Sequence, residues 1–141
     1  MAVVFDACAI IAWLRDEPGA DMISEIIKNE DCCYLHAINA YEVYHDFLRV
    51  TGKEEIASNA IEDIKSVVEV IENMETQLWK TAADVKINIK KISIPDCFAI
   101  ALAKRINAPV VTADHKEFIP VKEKKICEVI FFRDPGVHLK K

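Results

Sequence analysis

Two short apolar runs each end on an aspartate, at residues 3–6 (VVFD) and 110–114 (VVTAD). If both runs are neighbouring strands of a parallel α/β sheet, Asp6 and Asp114 lie in the crevice beyond the carboxyl ends of the strands, where such sheets bind ligands. Unpaired carboxylates held close together repel each other and resist joint ionisation unless a cation lies between them. The pair therefore indicates a divalent metal ion.

Two further acidic residues are expected to reach the same crevice. Asp96 opens the helix that leads into the second apolar run, and Glu42 lies near the start of the helix that follows residues 32–36. Each acid also has a structural explanation: Asp96 as a helix cap, Glu42 as a solvated helix residue, and the two strand-end aspartates as turn residues. Their joint placement favours a common site, because independent accidents would all have to converge on one crevice.

The elements that must position these acids follow from hydrophobic periodicity. Short buried runs predict strands, and apolar residues at helical spacing predict the helices between them. The predicted strands are residues 2–5, 32–36, 67–71, 109–113 and 128–132, of which the third is ambiguous between a strand and the end of a helix. The predicted helices are residues 8–15, 20–30, 39–51, 53–66 and 75–91, followed by one that opens at residues 93–96. Strands alternating with helices predict an α/β fold, a three-layer α/β/α sandwich with a mostly parallel central sheet.

Two helix starts contain typical capping residues. Asn39 is the expected N-cap of the helix that ends at Gly52, which places Glu42 in or near its first turn. Ser93 and Asp96 have the spacing of a capping box at the next candidate start. Asp96 is therefore expected at a helix N-terminus, where the helix dipole favours negative charge.

The composition is that of a globular chain. With 141 residues the chain is expected to form a single domain, residues 1–141, and 52% hydrophobic residues supply its core. The apolar stretch at residues 2–14 is too short to span a bilayer and has no basic flank before it, so we expect no membrane association and a cytoplasmic location. Five cysteines without a C-x-x-C pair disfavour a disulfide framework or a closed zinc site.

Several function classes are disfavoured by what the chain lacks. Three glycines cannot supply a glycine-rich phosphate loop or a G-x-S-x-G nucleophile elbow. The net charge of −5 makes the chain a poor general polyanion binder. Candidate phosphate contacts are Lys104, Arg105, Lys116 and the lysines at 122–125, although a solvated surface explains them equally well, and His115 is interpreted as an exposed loop residue.

Four sequence blocks together resemble the PIN-domain ribonucleases. The blocks are residues 3–6 (VVFD), 39–43 (NAYEV), 94–101 (IPDCFAIA) and 110–118 (VVTADHKEF), in the family's order and spacing. The resemblance extends over nearly the whole chain, and the block at 110–118 is its most specific part. The chain looks most like the small VapC-type toxins of toxin–antitoxin pairs.

The resemblance implies a site and an activity. The residues that match the family's acidic quartet, which binds Mg²⁺ or Mn²⁺, are Asp6, Glu42, Asp96 and Asp114. Thr112 and Glu117 match further residues near that site. The implied protein is a metal-dependent endoribonuclease, with RNA as substrate, a cognate antitoxin as partner and a homodimer as assembly. One departure is that Ala7 and Cys8 stand where relatives often carry Thr, Ser or Asn.

Three alternatives remain open. A phosphatase of the haloacid-dehalogenase type also begins with an aspartate after an apolar strand, but it needs a second carboxylate two residues on, where this chain has Cys8. A non-catalytic PIN-like module would bind protein or RNA, and an RNA-processing nuclease would use the same acids without being a toxin. Trp13, Trp79 and Tyr41 are interpreted as core or interface aromatics rather than base-stacking residues.

Overall fold

Strands and helices alternate along the chain in the computed structural model, which describes residues 1–137. The strands are β1 (Ala2–Phe5), β2 (Cys32–His36), β3 (Glu69–Ile71), β4 (Val110–Thr112) and β5 (Val129–Phe131). The helices are α1 (Ala7–Leu14), α2 (Ala20–Asn29), α3 (Ala37–Thr51), α4 (Glu54–Lys65), α5 (Thr76–Asn88), α6 (Ile94–Ile106) and α7 (His115–Glu123). The ambiguous segment at residues 67–71 thus contains a strand, as the sequence favoured.

The strands form one five-stranded parallel sheet of order β3-β2-β1-β4-β5. From the central strand β1 the chain builds outward through β2 to β3, then crosses back to β4 on the other side of β1. The strand order therefore reverses between β1 and β4, where Val4 is paired with Val110 and Phe5 with Val111. In doubly wound sheets this reversal opens a crevice at the carboxyl ends of the two strands.

Helices cover both faces of the sheet, which confirms the three-layer arrangement. Successive side chains of β1 point to opposite faces, so Val4 packs in the core beneath α5, α6 and α7 while Val3 and Phe5 pack beneath α1 to α4. Strands buried on both faces are nearly continuous in hydrophobic sequence, as β1 and β4 are. Within residues 1–137, no helix combines the length and the apolar character that crossing a membrane would require.

The start of α3 differs from the sequence expectation. The ring Nδ1 of His36, and not the side chain of Asn39, accepts the first free backbone N–H, from Ile38 at 3.1 Å. Asn39 is fully buried and its side-chain amide donates instead to the carbonyl oxygen of Pro95, at 3.3 Å. Helix α3 therefore begins before Asn39, and Glu42 lies in its second turn rather than its first.

Helix α7 is an element that the sequence patterns did not indicate. Its sixth residue is Pro120, a residue that removes one intrahelical hydrogen bond and usually argues against a helix interior. Tertiary packing overrides this local preference, because Phe118 and Val121 are fully buried in the core. The helix matters for the site, since Asp114 is its N-cap and Glu117 lies in its first turn.

We expect Gly19→Ala to destabilise the fold far more than Gly52→Ala. Both glycines have positive φ, at 92° and 66°, so alanine is strained by about 1 kcal/mol at either position. A methyl group at position 19 would also overlap the carbonyl oxygen and ring of Phe132, whereas position 52 is open. Urea denaturation should show Gly19→Ala losing about 2–4 kcal/mol. Equal losses in the two variants would contradict this close approach to Phe132.

Candidate active site

The predicted crevice is present as a cavity of about 490 Å³ at the carboxyl ends of β1 and β4. All four carboxylates of the predicted quartet line it, and so does Glu117. These five residues are Asp6, Glu42, Asp96, Asp114 and Glu117. A sixth acid of the lining, Asp46, is neutralised by ion pairs with Arg15 and Arg49. The five acids come from four separate segments of the chain, because Asp114 and Glu117 both belong to the start of α7, and the fold brings these segments together.

The tightest group within the cavity is a triad contributed by α6 and α7. Asp96, Asp114 and Glu117 each offer one carboxylate oxygen such that these oxygens lie within 4.8 Å of one another. Asp6 and Glu42 are set around the triad on the walls formed by α1 and α3. Oxygens at this spacing can converge on one cation, with two further carboxylates close by.

Two of the acids are held by capping the helix that follows each strand. One carboxylate oxygen of Asp6 accepts the N–H of Ala9 at 3.0 Å at the start of α1. Asp114 does the same for the N–H of Glu117, at 2.9 Å, at the start of α7. These aspartates are therefore helix caps rather than the turn residues of the structural alternative, and capping does not compete with a site, because each carboxylate also lines the cavity.

The capping box predicted at α6 is only half formed by the expected residues. Ser93 Oγ accepts the N–H of Asp96 at 3.3 Å, as predicted. The N–H of Ser93, however, donates to Glu117 Oε1 at 3.0 Å. Glu117 of α7 thus replaces the reciprocal contact that Asp96 would make in a full capping box. The carboxylate of Asp96 is left to line the cavity.

Cys8 makes the closest set of side-chain contacts to Asp6. Its sulfur lies 3.0 and 3.2 Å from the two carboxylate oxygens of Asp6, and it accepts the N–H of Ala113 at 3.4 Å. Burial and the neighbouring Asp6 carboxylate raise the pKa of the Cys8 thiol well above its usual value, so the thiol stays protonated and donates. A thiol therefore performs the donor role for which a hydroxyl was expected at this position.

Thr112 supports the site from behind rather than lining it. Its side chain is fully buried at the end of β4, and its hydroxyl oxygen accepts the N–H of Asp114 at 3.0 Å. The same oxygen lies 3.7 Å from the sulfur of Cys8. Thr112 thus connects the two strand ends that carry Asp6 and Asp114.

The electrostatics of the cavity are those of crowded, partly desolvated carboxylates. Burial raises the pKa of Asp6 to about 6, against the lowering effect of its hydrogen bonds to Thr112, Cys8 and Ala9. Burial also raises the pKa of Asp96 to about 6. Burial and the hydrogen bond with Asp96 raise the pKa of Glu117 to about 8. Burial raises the pKa of Glu42, and the negative charge of Glu117 raises it further.

This donor set fits a hard divalent cation. Near neutral pH the pair of Asp96 and Glu117 retains a proton, because its two carboxylates share a hydrogen bond in a desolvated position. A divalent cation would stabilise the ionised forms that burial disfavours. Carboxylate oxygens select Mg²⁺, Mn²⁺ or Ca²⁺ over softer metals. The residues present are therefore suitable for the ions that the sequence resemblance implied.

The basic residues suggested as phosphate contacts lie elsewhere. Among residues 1–137, no lysine or arginine lines the acidic cavity. Arg105 forms an ion pair with Glu75. Lys122 and Lys125 line a separate cavity, which lies beside residues 126–130 that lead into β5. The phosphate role proposed for the 122–125 cluster at this site is therefore not supported by its position.

His115 is not the exposed loop residue that the sequence suggested. It is the first residue of α7, its Nε2 lies 2.7 Å from the carbonyl oxygen of Arg133, and its ring stacks on Phe131 at 3.9 Å between centroids. These contacts fix the ring in the structure around β5. His115 does not line the acidic cavity.

Tyr41, interpreted from the sequence as a core or interface aromatic, is not in the core but lines the cavity. Its side chain is 63% exposed and lines the cavity together with His45, one helical turn further along α3. Residues four apart lie on one face of a helix, so the sequence already indicated that Tyr41 and His45 share a face of α3. What the pattern could not show was that this face points at the cavity.

Comparison with known proteins identifies the family. The sequence profile of the PIN domain matches residues 3–124, so the chain belongs to the PIN domain family. No curated protein sequence matches the chain.

Solved structures with the same fold include members of VapBC toxin–antitoxin pairs. VapBC2 of Rickettsia felis, bound to a DNA fragment from its promoter, aligns over 93% of this chain and 98% of its own, with 16% identity and a TM-score of 0.72. VapBC-1 of nontypeable Haemophilus influenzae aligns over 94% and 98%, with 20% identity and a TM-score of 0.71. VapC20 of Mycobacterium tuberculosis, a toxin that cleaves the sarcin–ricin loop, aligns over 77% and 86%, with 13% identity and a TM-score of 0.62. At these identities the likeness shows the shared α/β/α fold.

We expect the metal-free protein to lose stability as the pH rises from 5 to 8. The pKa values of Asp6, Asp96 and Glu117 are higher in the folded state than in the unfolded chain, so the folded state binds more protons in this range. Because unfolding then releases protons, the free energy of unfolding falls with pH, by about 2–3 kcal/mol from the two aspartates. Calorimetry in EDTA should show a falling Tm, and Mn²⁺ should raise the Tm more at pH 8 than at pH 5.

Glu117→Gln is the matched variant for this pH dependence. The amide oxygen can still accept the N–H of Ser93, while one carboxylate is removed from the triad. Its Tm in EDTA should therefore decline less steeply with pH than that of the parent. A parent Tm that stays level or rises between pH 5 and 8 would contradict the raised pKa values of these buried carboxylates.

Cys8→Ala and Cys8→Ser should differ in Mn²⁺ affinity. Alanine removes the donor that holds both oxygens of Asp6, whereas serine keeps a hydroxyl donor at that position. Loss of such a supporting hydrogen bond typically weakens metal binding about 10-fold or more. Titration calorimetry should show this loss for Cys8→Ala and near-parental affinity for Cys8→Ser. Parental affinity in the alanine variant would show that Asp6 does not depend on the thiol.

Proposed function

We propose that the chain is a divalent-metal-dependent endoribonuclease, a single PIN-like domain that acts as the toxin of a toxin–antitoxin pair. The observation that carries this proposal is the convergence of five carboxylates on one cavity at the switch point of a PIN-domain sheet, where burial raises the pKa of Asp6, Asp96 and Glu117. A folded protein retains such mutually repelling groups at a stability cost, which points to a function for them. A non-catalytic PIN-like module would not need them.

We assign the metal-holding role to the quartet and a supporting role to its neighbours. The quartet of Asp6, Glu42, Asp96 and Asp114 would hold the ions, and Glu117 would complete the acidic wall. When bound, Mg²⁺ or Mn²⁺ would activate water and neutralise charge on the phosphate oxygens. Thr112 keeps Asp114 in place through its backbone N–H. These acids need no nucleophilic side chain, and Cys8 is engaged as a protonated donor.

RNA is the substrate class that the comparisons favour. VapC20, which shares the fold, is a toxin that cleaves the sarcin–ricin loop. The VapBC structures suggest a cognate antitoxin as partner. We extend the proposal to a homodimer acting in the cytoplasm, where an RNA-cleaving toxin would meet its substrate.

Asp6→Asn should abolish metal-dependent RNA cleavage while leaving the fold intact. Asparagine is as good an N-cap as aspartate, so the bond to Ala9 is retained while the anionic ligand is lost. Initial rates on single-stranded RNA with Mn²⁺, Mg²⁺ or EDTA should fall by more than about 100-fold in the variant. Asp84→Asn, an exposed position on α5 outside the cavity, is the matched control and should cleave as the parent does.

Expression in a bacterial host separates the toxin role from other roles of the same nuclease. Induction of the parent should arrest growth, and induction of Asp6→Asn should not. A parent that cleaves RNA in vitro but leaves growth unaffected would favour an RNA-processing nuclease. Equal cleavage by the parent and Asp6→Asn would sink the metal-nuclease assignment altogether.

A further inference from the structure

An exposed aromatic pair stands at the wall of the acidic cavity with no role assigned so far. The rings of Tyr41 and His45 are stacked, with centroids 6.0 Å apart and planes inclined by 24°. Both residues line the cavity, and the side chain of Tyr41 is 63% exposed. The pair thus presents a flat, solvent-facing aromatic surface beside the carboxylates, at the position directly before Glu42 in α3.

The charge of the cavity makes this surface significant. Among the described residues the cavity has an acidic lining without a lysine or arginine, so no cationic side chain attracts the phosphate of a nucleotide. Binding energy must then come from another part of the nucleotide as well as from bound metal ions. A nucleobase stacked on an aromatic side chain typically gains about 10-fold or more in affinity, and the gain tolerates any base because every base has a π-face.

The position of Tyr41 and His45 determines which part of a bound nucleotide they would contact. Tyr41, Glu42 and His45 of α3 all line the same cavity, so the aromatic pair and the acidic wall are parts of one site. A nucleotide whose phosphate reaches Asp6, Asp96 and Asp114 must place its neighbouring nucleoside near the cavity wall. Ile11 of α1 adds an apolar side chain to the same lining.

We propose that the stacked pair Tyr41–His45 is a platform for the unpaired nucleobase next to the scissile phosphate. This inference rests on the proposed nuclease function and deepens it. A base within a duplex cannot stack on the platform without first leaving its pair. Tyr41 acts as a specificity residue and takes no part in the bond-breaking chemistry.

The test combines a substitution of the aromatic ring in the protein with the removal of a base from the RNA substrate. The substrate is a single-stranded oligoribonucleotide cleaved by the parent, made either intact or with an abasic residue on one side of the mapped cleavage position. The proteins are the parent, Tyr41→Ala, Tyr41→Phe and Trp79→Ala. Trp79 is the matched control, because it is an aromatic residue of α5 that is 46% exposed and does not line the cavity.

Tyr41→Ala should lower kcat/KM on the intact substrate about 10-fold, and the abasic substrate should show almost no further loss in this variant. Tyr41→Phe should behave as the parent, since stacking uses the ring and not the hydroxyl. Trp79→Ala should leave both substrates unaffected. A merely structural role for Tyr41 would lower cleavage of the intact and abasic substrates equally, and that result overturns the platform.

Binding measurements test the base-stacking platform independently of the proposed nuclease activity. Fluorescence anisotropy with Ca²⁺ in place of Mn²⁺ gives the affinity for both substrates without relying on cleavage. If the parent binds intact RNA in preference to abasic RNA and Tyr41→Ala abolishes the preference, the platform stands even where cleavage is absent and the nuclease proposal fails. If the parent cleaves RNA with no preference for the intact base, the platform fails and the nuclease stands. A Tyr41→Ala effect confined to affinity for an antitoxin would assign this face to a protein partner instead.

Discussion

The register between β1 and β4 is the contact on which the candidate site depends. Pairing Phe5 with Val111 brings together two strand ends that are far apart in the sequence, and the N–H of Asp6 donates to the carbonyl oxygen of Val111 at 3.3 Å. A slip of one residue would turn the side chains of the moved strand to the opposite face of the sheet. The buried valines on both faces therefore fix the position of the carboxylates as firmly as they fix the core.

Repulsion between the carboxylates of the cavity opposes the stabilisation that the core provides. The core stabilises a fold that holds these five acids in one cavity, and burial then disfavours the ionised forms of Asp6 and Asp96. Part of this conflict is relieved by backbone N–H groups at helix starts, because α1 and α7 are capped by Asp6 and Asp114 and α6 begins just before Asp96. Helix N-termini favour negative charge, so the fold offers partial compensation before any cation arrives.

The sequence was sufficient for the parts of the structure that depend on local pattern. Strand and helix alternation predicted the parallel sheet, and the apolar runs placed Asp6 and Asp114 on neighbouring strands. What it could not predict depends on contacts between distant segments. The side-chain amide of Asn39 donates to the carbonyl oxygen of Pro95, so Asn39 does not cap α3. Helix α7 forms around Pro120 because Phe118 is buried, and the N–H of Ser93 finds its partner in Glu117 rather than in the residue that local spacing favours.

The use of aspartates as helix caps has a consequence for how this chain can change over generations. Aspartate and asparagine codons differ by one base, and asparagine caps a helix as well as aspartate does. A single point mutation at Asp6 or Asp114 can therefore remove a carboxylate from the cavity while sparing the start of α1 or α7. Where the proposed nuclease activity became a burden, selection would have a short route to a variant that lacks it and still folds.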